Sequence, residues 1–281
     1  MALRNVRRRR SPPQLGRWLA ALLLLAFSAG PLAVMFFNGF KNPAELGANP
    51  LGPPSSFAIG NFLDAWDLGG FAEKMLNSAT LSLGTALGVC VIAGLAAYSL
   101  ARLPMPGRSG AMLYVLTSTA VPAQLFIIPL FFAFVRLGLT DNYLGLIFIY
   151  LAIYSPFATM LLRSYLVTLP REIEEAGRVD GATELQILTR VVLPCAKPGF
   201  LVVALTTALS AWNEFFFAMT FMQADDMLPV TAGFLAFRSE YATNWGLTSA
   251  AGLIMIGPVV FLFLLLQRQF IAGLTAGGMK A

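Results

Sequence analysis

Apolar residues fall along this chain in long uninterrupted runs, without the two- or 3.6-residue alternation of half-buried strands and helices. Six runs predict helices near 17–40, 76–101, 110–135, 143–165, 198–221 and 247–267. Each offers about the 20 residues that a hydrocarbon layer roughly 30 Å thick requires. The first run, Trp18 to Phe37, is preceded by basic residues and contains the small residues Ser28-Ala29-Gly30, as a secretory signal would. It exceeds the roughly 7–15 residues of a signal core and reads as a retained span.

Between the first two runs lies a polar segment in which Pro43, Pro50, Pro53 and Pro54 argue against regular structure. Pro104 and Gly107 mark a tight connection between the second and third runs. Pro122, Pro129, Pro156 and Pro258 lie inside runs. Such breaks persist in a membrane where neighbouring protein or a wet cavity satisfies the freed backbone groups. They fit a transport pathway and a plain kinked helix equally.

Composition agrees with the bilayer reading. Hydrophobic residues make up 57% of the chain and charged residues 12%, about half the charged share of a soluble domain. The charge is also lopsided. Of the nineteen Lys and Arg residues, only Lys41, Lys74, Arg136 and Arg238 fall on one side of a six-span arrangement. The basic excess places both termini and the 166–197 loop in the cytoplasm, and two cytoplasmic termini require an even number of spans. Arg7 to Arg10 thus flank a span and need not bind nucleic acid. The expected organisation is a cytoplasmic tail (1–17), a first helix with an outer loop (18–75), a core of five helices (76–270) containing a cytoplasmic loop (169–197), and a cytoplasmic tail (271–281).

Several chemistries are disfavoured. Histidine is absent, which removes the commonest general base and proton switch. Cys90 and Cys195 do not suggest a disulfide pair, no ligand cluster has metal spacing, and no Walker A loop is present. An ion-coupled carrier usually keeps several intramembrane acids, whereas Glu214 is the one acid placed inside a span. A membrane enzyme would need a convergent catalytic constellation, and none is visible. A purely structural membrane subunit sits poorly with the internal prolines.

One polar segment stands out, from Leu169-Pro170 to Leu193-Pro194. Pro170 suits a first helical position, and Glu172, Glu174 and Glu175 complement a helix N-terminus. Asp180-Gly181 reads as a turn ending this helix. A second helix follows, with Leu185, Leu188 and Val192 on one face and a stop at Pro194. Ala176 and Gly177 beside Ile173 make a small-residue face that admits close approach of another protein. A solvated loop with ordinary caps fits the same spacing.

The segment resembles the EAA loop of permease subunits of binding-protein-dependent ABC importers: Glu-Ala-Ala, three residues, Gly, nine residues, then Ile-x-Leu-Pro. Here the pattern is Glu175-Ala176-Gly177, Gly181 and Val191-Val192-Leu193-Pro194 with the family spacing intact. Gly177 replaces the usual second Ala and Val191 the usual Ile. Ala97-Tyr98-Ser99-Leu100-Ala101-Arg102, Val121-Pro122, Ile128-Pro129-Leu130, Trp212-Asn213-Glu214-Phe215 and the ending from Gln267 to Lys280 are similar to the carbohydrate-uptake branch that includes maltose and glycerol-phosphate systems. The resemblance extends from about Asn77 to the C-terminus.

It implies an all-α integral membrane protein of about six transmembrane helices with the type I ABC importer fold. The implied function is a permease, not an enzyme, carrying a sugar or related solute across a bacterial or archaeal cytoplasmic membrane. ATP and Mg would be used by separate ATP-binding cassette subunits, with no cofactor or metal held by this chain. The other implied partners are a second permease, giving a heterodimer, and an extracytoplasmic solute-binding protein, with no nucleic acid. Glu175, Ala176, Gly177, Asp180, Gly181, Leu193 and Pro194 would form the ATPase-coupling loop.

Trp212, Asn213 and Glu214 form a candidate substrate pathway, since an intramembrane carboxylate is costly and an aromatic with an amide suits a sugar. Glu214 simply reaching the outer interface is the competing reading. Tyr98, Tyr150 and Tyr154 fit either a pore lining or interfacial anchors. Asn77-Ser78 fits a role in satisfying backbone or partner groups. The outer loop from Met222 to Trp245 fits a binding-protein contact, a gate or a connector, and Gly277 to Lys280 an ATPase contact or a frayed end.

Overall fold

The computed structural model describes residues 14–278. Arg7 to Arg10 and Lys280 lie outside the described residues. Among the described residues every regular element is helical, and four helices are long and apolar enough to cross a membrane, or six spans if each of two bent pairs is counted as one. The chain divides into two compact units.

The first unit comprises residues up to Leu68 together with Glu240–Ile254. Helix α1 (Gln14–Gly39) exposes Leu22, Leu23, Leu24, Leu25 and Phe27, as a lipid-facing helix does. At its C-terminal end Lys41 is fully buried, donating from Nζ to Asn38 Oδ1 (3.0 Å) and to the Asn49 carbonyl (2.7 Å). Asn61 Nδ2 donates to the carbonyls of Gly39 and Lys41. The proline-rich segment that sequence left irregular contains two helices, α2 (Pro43–Ala48) and α3 (Gly60–Leu68). Pro43 starts α2 because its missing N–H is not needed at a first helical position, while Asn42 Oδ1 accepts from Glu45 N.

The second unit, Gly69–Ser239 with the chain from Met255 onward, is built on α4 (Phe71–Arg102). Around α4 lie α7 (Tyr143–Thr168) and α11 (Lys197–Asn213). Small residues set the spacing, as they do between helices in lipid. A Cβ on Gly88 would come within 2.6 Å of Leu151 Cδ2, and one on Gly94 within 2.9 Å of Phe200 Cε1. One buried cluster contains Ala97, Tyr98, Leu162, Leu166, Ile187 and Val192; another contains Leu81, Tyr150, Ala211, Phe217 and Phe221.

The third apolar run is not one straight helix. It forms α5 (Arg108–Ala120) and α6 (Ile127–Leu137), joined through the 3₁₀ turn Ala123–Phe126, with an 86° bend. The cause is local: Pro122 forces Val121 into extended geometry (φ −83°, ψ 123°).

The fifth run breaks too. After α11 the backbone is extended at Glu214 (φ −74°, ψ 127°) and resumes as α12 (Phe216–Phe221). Beyond it, the segment from Met222 to Trp245, expected as a binding-protein contact, a gate or a connector, holds a 3₁₀ turn (Asp225–Met227) and α13 (Val230–Glu240). The last helix, α14 (Trp245–Gly278), continues past residue 270, where a tail was expected.

Candidate functional site

The segment between α7 and α11 is a compact arm. It consists of α8 (Glu172–Val179), α9 (Glu184–Ile187), a π-helical turn (Leu188–Val192) and α10 (Leu193–Cys195). The helix at α9 and α10 meets α11 at an 80° bend. The helix runs on from α9 through the π turn and ends at Cys195, one residue past the expected stop at Pro194.

The turn between α8 and α9 is closed from both sides. The Gly181 and Ala182 amides donate to the Arg178 and Gly177 carbonyls, a Schellman pair, with Gly181 at φ +82°. On the far side Thr183 and Gln186 form a capping box, each side chain accepting from the other's amide. The sequence-predicted turn at Asp180-Gly181 is therefore present.

The expected apolar face shifts by one position. Leu188 and Val192 are buried as expected, but Leu185 is exposed and Ile187 takes its place in the core. Gly177 faces inward, its Cβ position 3.5 Å from Ile187 Cγ1. One of the two small residues thus lets α8 lie on α9, while Glu175, Ala176, Asp180 and Gly181 are exposed. Leu193 and Pro194 are exposed further along, and Val179 is 88% exposed.

Glu174 has the opposite fate from Glu175. It is buried and lies 2.7 Å from Arg102 Nε at the end of α4. The Nε–H is not aimed at the carboxylate oxygen, so charge and burial hold this pair rather than a directed hydrogen bond. The guanidinium directs Nη2 instead, donating to the Leu166 and Leu169 carbonyls at 2.8 and 2.9 Å. Beside it the Tyr98 hydroxyl donates to Glu184 Oε2 (2.7 Å), and Arg178 Nε donates to Glu184 Oε1 (2.8 Å). Hydrogen bonding from Arg178, then from Tyr98, holds the Glu184 carboxyl below its ordinary range.

Sequence reasoning noted Arg102 as part of a motif and Tyr98 also as a pore-lining or anchoring candidate, and it missed their partners. The Glu174–Arg178 spacing of four was the available local signal.

The three pathway candidates separate in the structure. Glu214 sits in the break between α11 and α12 with both oxygens engaged. Oε1 accepts from Phe217 N (2.9 Å), and Oε2 accepts from the Tyr150 hydroxyl (2.8 Å) and Ala218 N (3.2 Å). It caps α12, a third role that neither sequence reading foresaw. Asn213 is exposed and its amide donates to Leu209 O. The Trp212 Nε1 is buried without a hydrogen-bond partner. Tyr154 donates to Ser210 O at 3.3 Å.

At the end of α4 remote from Arg102, Asn77 Nδ2 donates to the Asp226 and Leu228 carbonyls, and Ser78 Oγ accepts from Val230 N. Lys74 pairs with Asp225 at 3.2 Å, and Asp141 Oδ1 accepts from the Gln223 and Ala224 amides. The segment leading into α13 is therefore pinned to α4 by Lys74, Asn77 and Ser78, and to the turn before α7 by Asp141. A cavity of about 950 Å³ lies along α5, α6 and α7, with Thr117, Gln124, Phe148 and Pro156 in its wall. Phe217 reaches it, whereas Trp212, Asn213 and Glu214 are not part of its lining.

The chain is 32% identical over 263 residues to the probable ABC transporter permease protein YurM of Bacillus subtilis, covering 94% of this chain and 87% of that one. It is 30% identical to the arabinooligosaccharides transport system permease protein AraQ of Halalkalibacterium halodurans, over 97% of this chain and 99% of that one. In fold it is similar to a chain in the crystal structure of a bacterial ABC transporter involved in the import of the acidic polysaccharide alginate. There the TM-score is 0.79 at 24% identity, covering 94% of this chain and 99% of that one. Residues 81–275, which hold the arm and the break in the fifth run, match the family of binding-protein-dependent transport system inner membrane components, and the chain belongs to that family.

Proposed function

We propose that this permease imports a carbohydrate as one half of a membrane domain, with ATP and Mg used by separate cassette subunits that dock on the arm. The observation that carries the reading is the arm itself. Its core is fixed by the Schellman turn, the capping box and the buried Ile187, while Glu175, Ala176, Asp180 and Gly181 stay exposed on it. A docked ligand shifts a two-state protein only through differential binding to the two states, and a stiff exposed lever transmits that difference. The carbohydrate assignment is supported by the overall similarity to the arabinooligosaccharide permease.

On this reading the arm faces the cytoplasm together with both termini, in keeping with the basic bias of the sequence. A second, related permease completes the pathway, and a solute-binding protein delivers solute from the other side. Leu193 and Pro194 would belong to the edge of the docking surface. Asn213, with an exposed side chain, is the solute contact retained from the three pathway candidates, and Trp212 flanks it. Glu214 shapes the break by capping α12.

The test is co-purification in mild detergent, with uptake measured in proteoliposomes. Recovery of an ATPase and a second permease, with uptake that needs ATP, is the expected result. A lone chain whose solute flux follows a proton gradient and ignores ATP would overturn the proposal.

A further inference from the structure

The arm has covalent connections to α7 and α11, but none to α4. Side chains supply that link. Arg102 meets Glu174 of α8 while Nη2 holds the carbonyls at the end of α7, and Tyr98 holds Glu184 of α9. The Arg102 and Glu174 side chains are 3% and 4% exposed. A buried pair in that setting is expensive to desolvate and is weak as a pure stabiliser. The 32 residues of α4 span about 48 Å at 1.5 Å per residue. At the other end, Asn77 and Ser78 grip the segment Asp226–Val230 through its backbone.

We propose that Arg102 and Tyr98 are positioning residues that join the arm to α4, so that movement of the docked arm is carried along α4 to the segment entering α13. The joint makes α4, the inner end of α7 and the arm one body. A single rigid helix then connects the ATPase side to the outer segment, without a chain of loosely packed side chains between them. This inference rests on the proposed docking of an ATPase on the arm.

The complete transporter in proteoliposomes tests it, with solute uptake per ATP hydrolysed as the readout. The principal variant is the double substitution Arg102→Leu with Glu174→Leu, which leaves no unpaired buried charge and so favours assembly. Tyr98→Phe is the milder companion and removes only the hydroxyl bond to Glu184. The double variant should assemble and hydrolyse ATP, with uptake per ATP falling about tenfold, within the usual range of coupling energies. Tyr98→Phe should give a smaller loss in the same ratio.

A second readout separates coupling from stability. With Gln223→Cys in a background lacking Cys90 and Cys195, reactivity toward an impermeant thiol reagent should change with ATP. That change should vanish in the double variant. A merely structural pair would lower the yield of complex and leave uptake per ATP and the Gln223 signal intact, which would overturn the joint. If the double variant does not assemble, a normal ratio in Tyr98→Phe overturns it. Absence of any ATP dependence in the unmodified transporter would overturn the ATPase-docking reading itself.

Discussion

Arg102 and Glu174 stand 2.7 Å apart with almost no solvent access to either side chain, while the next residue, Glu175, is exposed. Adjacent glutamates in one helical turn thus have opposite environments, because successive residues of an α-helix point about 100° apart. Glu174→Ala alone leaves the Arg102 charge buried without its carboxylate, and such a break costs roughly 3–5 kcal/mol. Glu175→Ala removes an exposed side chain and should leave stability within about 0.5 kcal/mol. Thermal unfolding of the detergent-purified complex measures both. Equal melting temperatures for the two variants would show that the buried pair contributes nothing.

Gly181 makes a separable prediction. Its φ of +82° lies in the left-handed region, and no atom lies within 4 Å of where a Cβ would stand. The obstacle to substitution is therefore backbone conformation and not collision. Non-glycine residues there cost about 1–2 kcal/mol, with Asn the least disfavoured. Gly181→Asn should retain the ATPase on co-purification, Gly181→Ala should retain less, and Gly181→Val least, all with normal membrane insertion. The same order in uptake is expected, and indifference of uptake to Val at this position would remove Gly181 from the coupling surface.

What sequence made legible follows from which forces act locally. The runs at 17–40, 76–101, 143–165 and 247–267 each fall on one helix long and apolar enough to cross a membrane, because crossing sets a length that composition alone must meet. The Asp180-Gly181 turn was legible because only glycine takes that backbone angle readily. Four features were not. Pro122 marks a break in the third run, but hydropathy has no signal for the 86° angle of the bend there. The exchange of Leu185 for Ile187 arises where α9 gives way to a π turn, which shifts the buried face from the regular helical period. Glu214 looked like a pathway group because it is an acid in a span, yet its partners Phe217 and Ala218 are visible only once the helix break is known. Lys41 likewise is a buried cation held by an amide and a carbonyl that the proline-rich sequence around it does not announce.

Acidity tests the second polar contact of the arm. Arg178 and Tyr98 hydrogen bonds hold the Glu184 carboxyl below its ordinary value of 4.5. A carboxyl depressed in the folded state stabilises above its unfolded value, and the contribution disappears as pH falls through the depressed value. The mobility of a spin label introduced by Val179→Cys should therefore stay constant from neutral pH down to 4.5 and rise only below it. In Glu184→Gln the label should be mobile across the whole range. A transition well above 4.5 in the unmodified arm would mean that Glu184 is not the group holding the turn to Arg178 and Tyr98.

The break in the fifth run separates Glu214, which caps α12, from Asn213, the proposed solute contact. Glu214→Ala removes the cap of α12, a loss of about 1–2 kcal/mol. It also strands the hydroxyl of the fully buried Tyr150, worth about 1–3 kcal/mol more. The expected result is a lower melting temperature and less assembled transporter, with little change in half-saturation for solute in the fraction that assembles. Asn213→Ala should do the reverse. Its amide bonds only a carbonyl of its own helix among the described contacts, and its side chain is exposed, so stability should hold while half-saturation rises severalfold. Uptake titrations beside unfolding curves distinguish the two. If Glu214→Ala raises half-saturation at an unchanged melting temperature, the carboxylate contacts solute directly, and capping of α12 is secondary to that role.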